Sequence, residues 1–92
     1  MSEFTKDPAA RVDFAVDFAA YLAPNETIVG MPIWSVIPDG ELTLDAPALS
    51  EAKARIFADG GIVGHRYRVS VRISTSQGRI DERQFDIKIV DH

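Results

Sequence analysis

Proton-transfer chemistry at neutral pH has two candidate groups here, His65 and His92, because the 92-residue sequence contains no cysteine. A serine nucleophile would need one of these histidines as its base. His65 adjoins a glycine turn and reads as a solvated loop histidine, while His92 is the last residue and is expected to fray. No Gly-x-Ser-x-Gly elbow, phosphate loop or His-Glu-x-x-His motif occurs. Asp13 and Asp17 share one face of an alternating segment, about 13 Å apart, too far to act on one substrate atom. Asp39-Gly40-Glu41 and Asp59-Gly60-Gly61 resemble fragments of calcium loops, but neither continues the alternating acidic spacing, and turn chemistry accounts for both. No catalytic residue, cofactor or metal site is expected.

The remaining polar constellations suit contacts instead. Asp81-Glu82-Arg83 has two readings: cross-strand pairing with Arg72 or Arg68, or docking of a partner subunit. Trp34 reads first as a core tryptophan between two sheets and second as an exposed contact. Tyr67 opens its strand just after the glycine-rich Asp59–Gly64 connection, the location of a tyrosine corner whose hydroxyl bonds upstream backbone.

The elements that must position these groups are strands. Val12, Phe14, Val16 and Phe18 alternate with Asp13, Ala15 and Asp17, the period of a half-buried strand. Ala19–Ala23 supports at most one helical turn before Pro24. Glu26 to Met31 and Ile33 to Ile37 read as two strands separated by Pro32, which donates no ladder hydrogen bond. Pro38-Asp39-Gly40 is a turn, Leu42 to Leu44 a short strand, and Ala46 to Ser50 a connection crossing between sheets. Ala52 to Ala58 fits a strand with Ala54 and Ile56 inward, although Ser50 to Arg55 also has helix propensity.

From Arg66 to Val90 the pattern is a hairpin. Tyr67, Val69, Val71 and Ile73 form its inner row, Arg66, Arg68 and Arg72 its outer one, and Gly78 closes the Thr75–Gly78 loop with positive φ. Ile80 is out of parity with Phe85, Ile87 and Ile89, which predicts a bulge at Asp81 to Gln84. About seven strands at this spacing predict an all-β, immunoglobulin-like or fibronectin-III-like sandwich over residues 11–92, preceded by a flexible arm over residues 1–10.

Composition sets the outer bounds. With 46% hydrophobic and 26% charged residues the chain is an ordinary globular domain, able to bury somewhat over ~60% of its unfolded surface. Fourteen acidic against ten basic side chains give a net charge of −4, which repels a phosphate backbone, so no nucleic-acid partner is expected. The polar start with Glu3 does not match a signal peptide, and no apolar run approaches the roughly 20 residues of a membrane span, so a soluble product made in a cytoplasm is expected.

Several strings together resemble one family. They are Lys6-Asp7-Pro8, Val12 to Asp17, Thr27-Ile28, Trp34, Gly60-Gly61, Gly64-x-x-Tyr67-Arg68-Val69, and Ile73 to Arg83 with its Gly78-Arg79-x-Asp81-Glu82-Arg83 return. Over Lys6 to Val90 the chain resembles the small phage and prophage virion structural proteins of the fiber-tail adaptor type. Phe18 and Tyr21, where that family often has tryptophan, and Met31-Pro32-Ile33 depart from it.

The resemblance implies a non-enzymatic tail subunit located in the virion and made in the bacterial host cytoplasm. Its partners would be other virion or tail proteins, with copies associating around a ring. Contacts would fall to Lys6, Asp7 and Pro8 in the arm and to Arg72, Arg79, Asp81, Glu82 and Arg83 around the hairpin, with Trp34, Tyr67, Gly64 and Gly78 structural. The competing reading is a monomeric Ig-like module binding a host surface ligand such as carbohydrate, which needs an exposed aromatic platform. Phe57 and Tyr21 are the rings available for one.

Overall fold

The computed structural model describes residues 2–91; Met1 and His92, the residue expected to fray, lie outside the described residues. The strands in chain order are β1 (Ser2–Lys6), β2 (Arg11–Asp17), β3 (Ile28–Ile37), β4 (Leu42–Ser50), β5 (Lys53–Gly60), β6 (Arg66–Thr75) and β7 (Ile80–Ile89). They build two sheets, one ordered β1-β7-β6-β3 and the other β2-β5-β4. β1 runs parallel to β7, and every other neighbouring pair is antiparallel. Among the described residues there is no helix.

Alternation decides which side chains go inside. Tyr67, Val69, Val71, Ile73 and Thr75 of β6 are buried while Arg66, Arg68, Arg72 and Ser74 stand in solvent. On the facing sheet Phe14, Leu42, Ile56 and Ala58 meet Tyr67, Val69, Phe85, Ile87 and Ile89, and a second cluster joins Phe18 and Ala54 to Val71 and Ile73. Each fully buried Val, Ile or Phe side chain contributes about 1.5–3 kcal/mol of transfer free energy. This layer between the sheets holds the fold together.

Several expectations need correction. The β6–β7 ladder is continuous from Arg66↔Lys88 to Ser74↔Ile80, so the bulge expected at Asp81 to Gln84 is absent. The parity conflict is resolved by Ile80, which is 67% exposed, while Phe85, Ile87 and Ile89 point inward. A single apolar residue at a hairpin mouth is tolerated in water. The irregularities lie in β3, between Val29 and Ile33, and in β4, between Asp45 and Ala48.

Pro32 therefore interrupts the ladder as expected, but within one bent strand rather than between two. Ala46 to Ser50 does not cross between sheets; a bulge with Ala46 at φ 51° absorbs Pro47, and β4 continues to a two-residue turn, Glu51-Ala52, before β5. In place of the flexible arm expected over residues 1–10, residues 2–6 form β1. The physical cause is Phe4, whose ring packs against Phe14 and Phe85 at centroid distances of 5.2 and 5.6 Å.

Candidate interaction surface

The outer face of β6 and β7 is a grid of paired charges. Arg68 and Asp86 are directly opposite and joined at 3.2 Å, and Arg72 and Glu82 are opposite and joined at 3.3 Å. Arg66 reaches Glu3 of β1 at 2.7 Å, while on the other face of β7, where Asp81 stands opposite Ile73 and Arg83 opposite Val71, Arg83 bonds Asp81 at 3.0 Å. Cross-strand pairing of Arg72 is thus present, as one of the two readings of this cluster required. Each exposed pair contributes under about 1 kcal/mol, so exchanging it for a partner's charge costs little.

Arg79 is placed differently from its neighbours in the expected contact set. Its Nε and a terminal nitrogen both donate to the Glu26 carboxylate, and a terminal nitrogen also donates to the Tyr21 carbonyl at 3.1 Å. The Glu26 side chain is completely buried and accepts further bonds from the Thr75 hydroxyl and, at 2.8 Å, the Ala23 N–H. These donors, Arg79 foremost, hold the Glu26 carboxyl down at about 2. The Thr75 hydroxyl in turn accepts from the Arg79 and Gln77 N–H groups, and Gly78, at φ 79°, donates its N–H to the Thr75 carbonyl. Arg79 therefore clamps the β6–β7 turn to the β2–β3 loop.

Lys6 is buried as well, with only 2% of its surface exposed. Its ammonium donates to the carbonyls of Asp7 and Gly60 at 2.8 Å, and burial lowers its pKa against the opposing pull of Asp59 and Asp7. Asp7 closes the turn into β2, its carboxylate accepting the Ala9 N–H at 2.8 Å, and it stands half-buried with Pro8. Of the expected contact residues, the structure groups Arg72, Asp81, Glu82 and Arg83 on one hairpin and sets Lys6, Asp7 and Pro8 apart at the β1–β2 turn.

Tyr67 is fully buried and its hydroxyl accepts the Ile62 N–H at 3.0 Å, the upstream backbone bond expected of a tyrosine corner. It also donates to Glu41 at 2.6 Å, and Glu41 bonds the Nδ1 of His65 at 3.2 Å. Burial first, then the bond to Glu41, raises the Tyr67 pKa; the bond from Tyr67 lowers that of Glu41. Gly64, at φ 87°, fastens the same loop by donating to the Ile89 carbonyl at 2.9 Å. Trp34 is half-buried and packs against both core clusters. Among the described residues, no cluster of three or more His, Cys, Asp or Glu is placed to hold a metal ion.

The rings expected to offer an aromatic platform are covered. The Arg79 guanidinium lies 4.4 Å from the Tyr21 ring centroid and Arg83 lies 5.9 Å from it, while Arg11 and Arg55 lie 4.1 and 5.6 Å from that of Phe57. Two features escape sequence reasoning. The burial of Glu26 has no local signal, since its donors come from the 75–79 turn as well as its own loop. The exposure of Ile33 and Ile37 follows from their pointing to the outer face, opposite Arg72 and Arg68, and that of Met31 accompanies the irregularity between Val29 and Ile33, neither of which the apolar run alone reveals.

Seven strands packed as two sheets, with no helix among the described residues, define a small all-β protein. The chain belongs to the family described as Podophage GP4 fiber-tail adaptor protein gp77, which matches it over residues 6–88. A comparison with curated proteins finds no match.

Proposed function

We propose that the chain is a non-enzymatic adaptor subunit of a phage or prophage tail, present in the virion and acting through protein–protein contacts. Membership of the fiber-tail adaptor family over residues 6–88 is the observation that carries this reading. The contact surface is the β6–β7 hairpin, with Arg72 and Glu82 on its outer face and Asp81 and Arg83 at the rim of its other face, joined by Asp7 and Pro8 at the β1–β2 turn. Shallow ion pairs suit such a role, because a partner's charges replace them at small cost. The buried Lys6 and the part-exposed Arg79 hold the turns beside this surface in place. Copies of the subunit associate around the tail in a ring, and no nucleic acid or membrane takes part.

The fold reading is immunoglobulin-like. Support comes from the three-stranded set β7-β6-β3 facing β2-β5-β4, a tryptophan on the third strand and a tyrosine corner at the start of the sixth.

The test is particle assembly with a charge-reversed hairpin, Glu82→Arg with Arg83→Glu, in a chain whose thermal midpoint is unchanged. Tail particles should then lose the subunit or their fibers, as read by mass spectrometry of purified virions. Normal composition in those particles overturns the hairpin surface, and absence of the unaltered chain from purified virions overturns the adaptor role.

A further inference from the structure

The edge of β3 stands open, since β6 is its strand neighbour on one side and no strand flanks it on the other among the described residues. Met31, Ile33 and Ile37 are 58, 67 and 69% exposed on this strand, and residues 31–37 carry no charge. Unprotected edges invite pairing, and proteins usually blunt them with charges, prolines or bulges. The other three edges follow that rule: β1 carries Glu3, β2 carries Asp13 and Asp17, and β4 carries Asp45 beside the Pro47 bulge. In β3 the bulge ends at Ile33, leaving a regular five-residue window from Ile33↔Arg72 to Ile37↔Arg68.

We propose that this window is a homotypic docking edge, in which two copies of the chain pair their β3 strands antiparallel about Ser35. Ser35 then faces Ser35 of the second copy, and Ile33 faces Ile37. A two-fold interface requires a patch that complements itself. Ile33-Trp34-Ser35-Val36-Ile37 reads alike from both ends, with isoleucine at either end of the outer face and Trp34 and Val36 on the inner one. The next row outward is Arg68 and Arg72, already neutralised by Asp86 and Glu82. Four isoleucines would form an apolar centre between two charge-balanced rims, so no like charges meet. A foreign strand has no charge within the window to select it. This contact is two-fold and distinct from the ring contact, and its readouts involve no particle, so the adaptor reading can fail without touching it.

The test uses the intact chain in sedimentation velocity from about 1 µM to about 1 mM. The mass should rise with concentration to twice the 10.1 kDa of one chain. Ile33→Lys and Ile37→Lys should each weaken association by about tenfold or more with circular dichroism unchanged. Ile80→Lys, at a residue equally exposed on β7, should leave it intact. Directly opposite residues of an antiparallel pair have Cα atoms about 4.5–5.5 Å apart, within disulfide reach. Ser35→Cys, the one thiol in an otherwise cysteine-free chain, should therefore oxidise to a covalent pair, and Ser74→Cys should not. A chain monomeric at every concentration overturns the proposal, including the case where another tail protein's strand occupies the edge. So does association that survives Ile33→Lys, or cross-linking no better at Ser35→Cys than at Ser74→Cys.

Discussion

The Arg79 guanidinium holds the fully buried Glu26 carboxylate with two nitrogens, tying together residues 53 positions apart in the chain. A buried carboxylate without such donors would be protonated or would unfold its surroundings. The pair therefore fixes how the β2–β3 loop sits on the β6–β7 turn, and through that turn the orientation of the charged hairpin.

Acid should release this clamp. The Glu26 carboxyl is depressed from about 4.5 to about 2, so its contribution is fully present above pH 4.5 and is lost as pH falls toward 2. Urea midpoints measured between pH 7 and pH 2 should fall through that window. The Glu26→Gln chain should start lower and fall less steeply. Arg79→Lys, which replaces a two-nitrogen grip by a point charge, should lower the midpoint at pH 7 more than Arg83→Lys does.

Tyr67→Phe removes the acceptor of the Ile62 N–H and the donor to Glu41. A loss of about 1–3 kcal/mol is expected, appearing as a lower urea midpoint at unchanged m-value.

Gly61 has φ 95°, and a Cβ there would lie 2.7 Å from the Ile89 side chain. Gly61→Ala should cost more than about 1 kcal/mol, whereas Gly64→Ala meets backbone strain without the clash and should cost less. Thermal melts of the two chains compare them directly.

Phe4→Ala tests whether β1 belongs to the fold. Phe4 is 42% exposed, so the loss should fall below the roughly 3–5 kcal/mol of a fully buried Phe but well above zero. Amide exchange at the β7 residues paired with β1 should quicken in the same variant.

Trp34 reports the interior optically. The indole is half-buried between the two clusters, and its buried Nε1 finds no acceptor among the described residues. Native emission should be blue-shifted and move red on unfolding. Trp34→Phe should cost under about 1.5 kcal/mol, because the lost packing is offset by removing an unpartnered donor.

Much of the fold is legible in the sequence where one rule governs a whole segment. The alternation of Val12 to Phe18 and of Tyr67 to Ile73 places both core faces, and the glycine-rich turn before Tyr67 locates its hydroxyl bond. Reading fails where a distant partner decides. β1 offers one inward apolar residue, Phe4, too few for a period, and is held by a parallel neighbour invisible locally. Ile80 imitates a core residue because hydrophobicity does not say which side of a hairpin mouth it faces. Lys6 and Arg79 look like free surface charges, yet Gly60 and Glu26, far along the chain, draw both into internal bonds.

The parallel pairing of β1 with β7 also sets a timetable. The first strand leaves the ribosome long before the last, so Phe4 waits unpartnered by Phe85 through most of synthesis, while β2, β4 and β5 can already close their hairpin sheet. Contacts of such long sequence separation form late and slowly. A nascent chain halted before Ile80 holds neither the β6–β7 hairpin nor a seat for its own N-terminus. The seating of β1 must consequently wait for β7, whereas the charged hairpin closes through its own short turn.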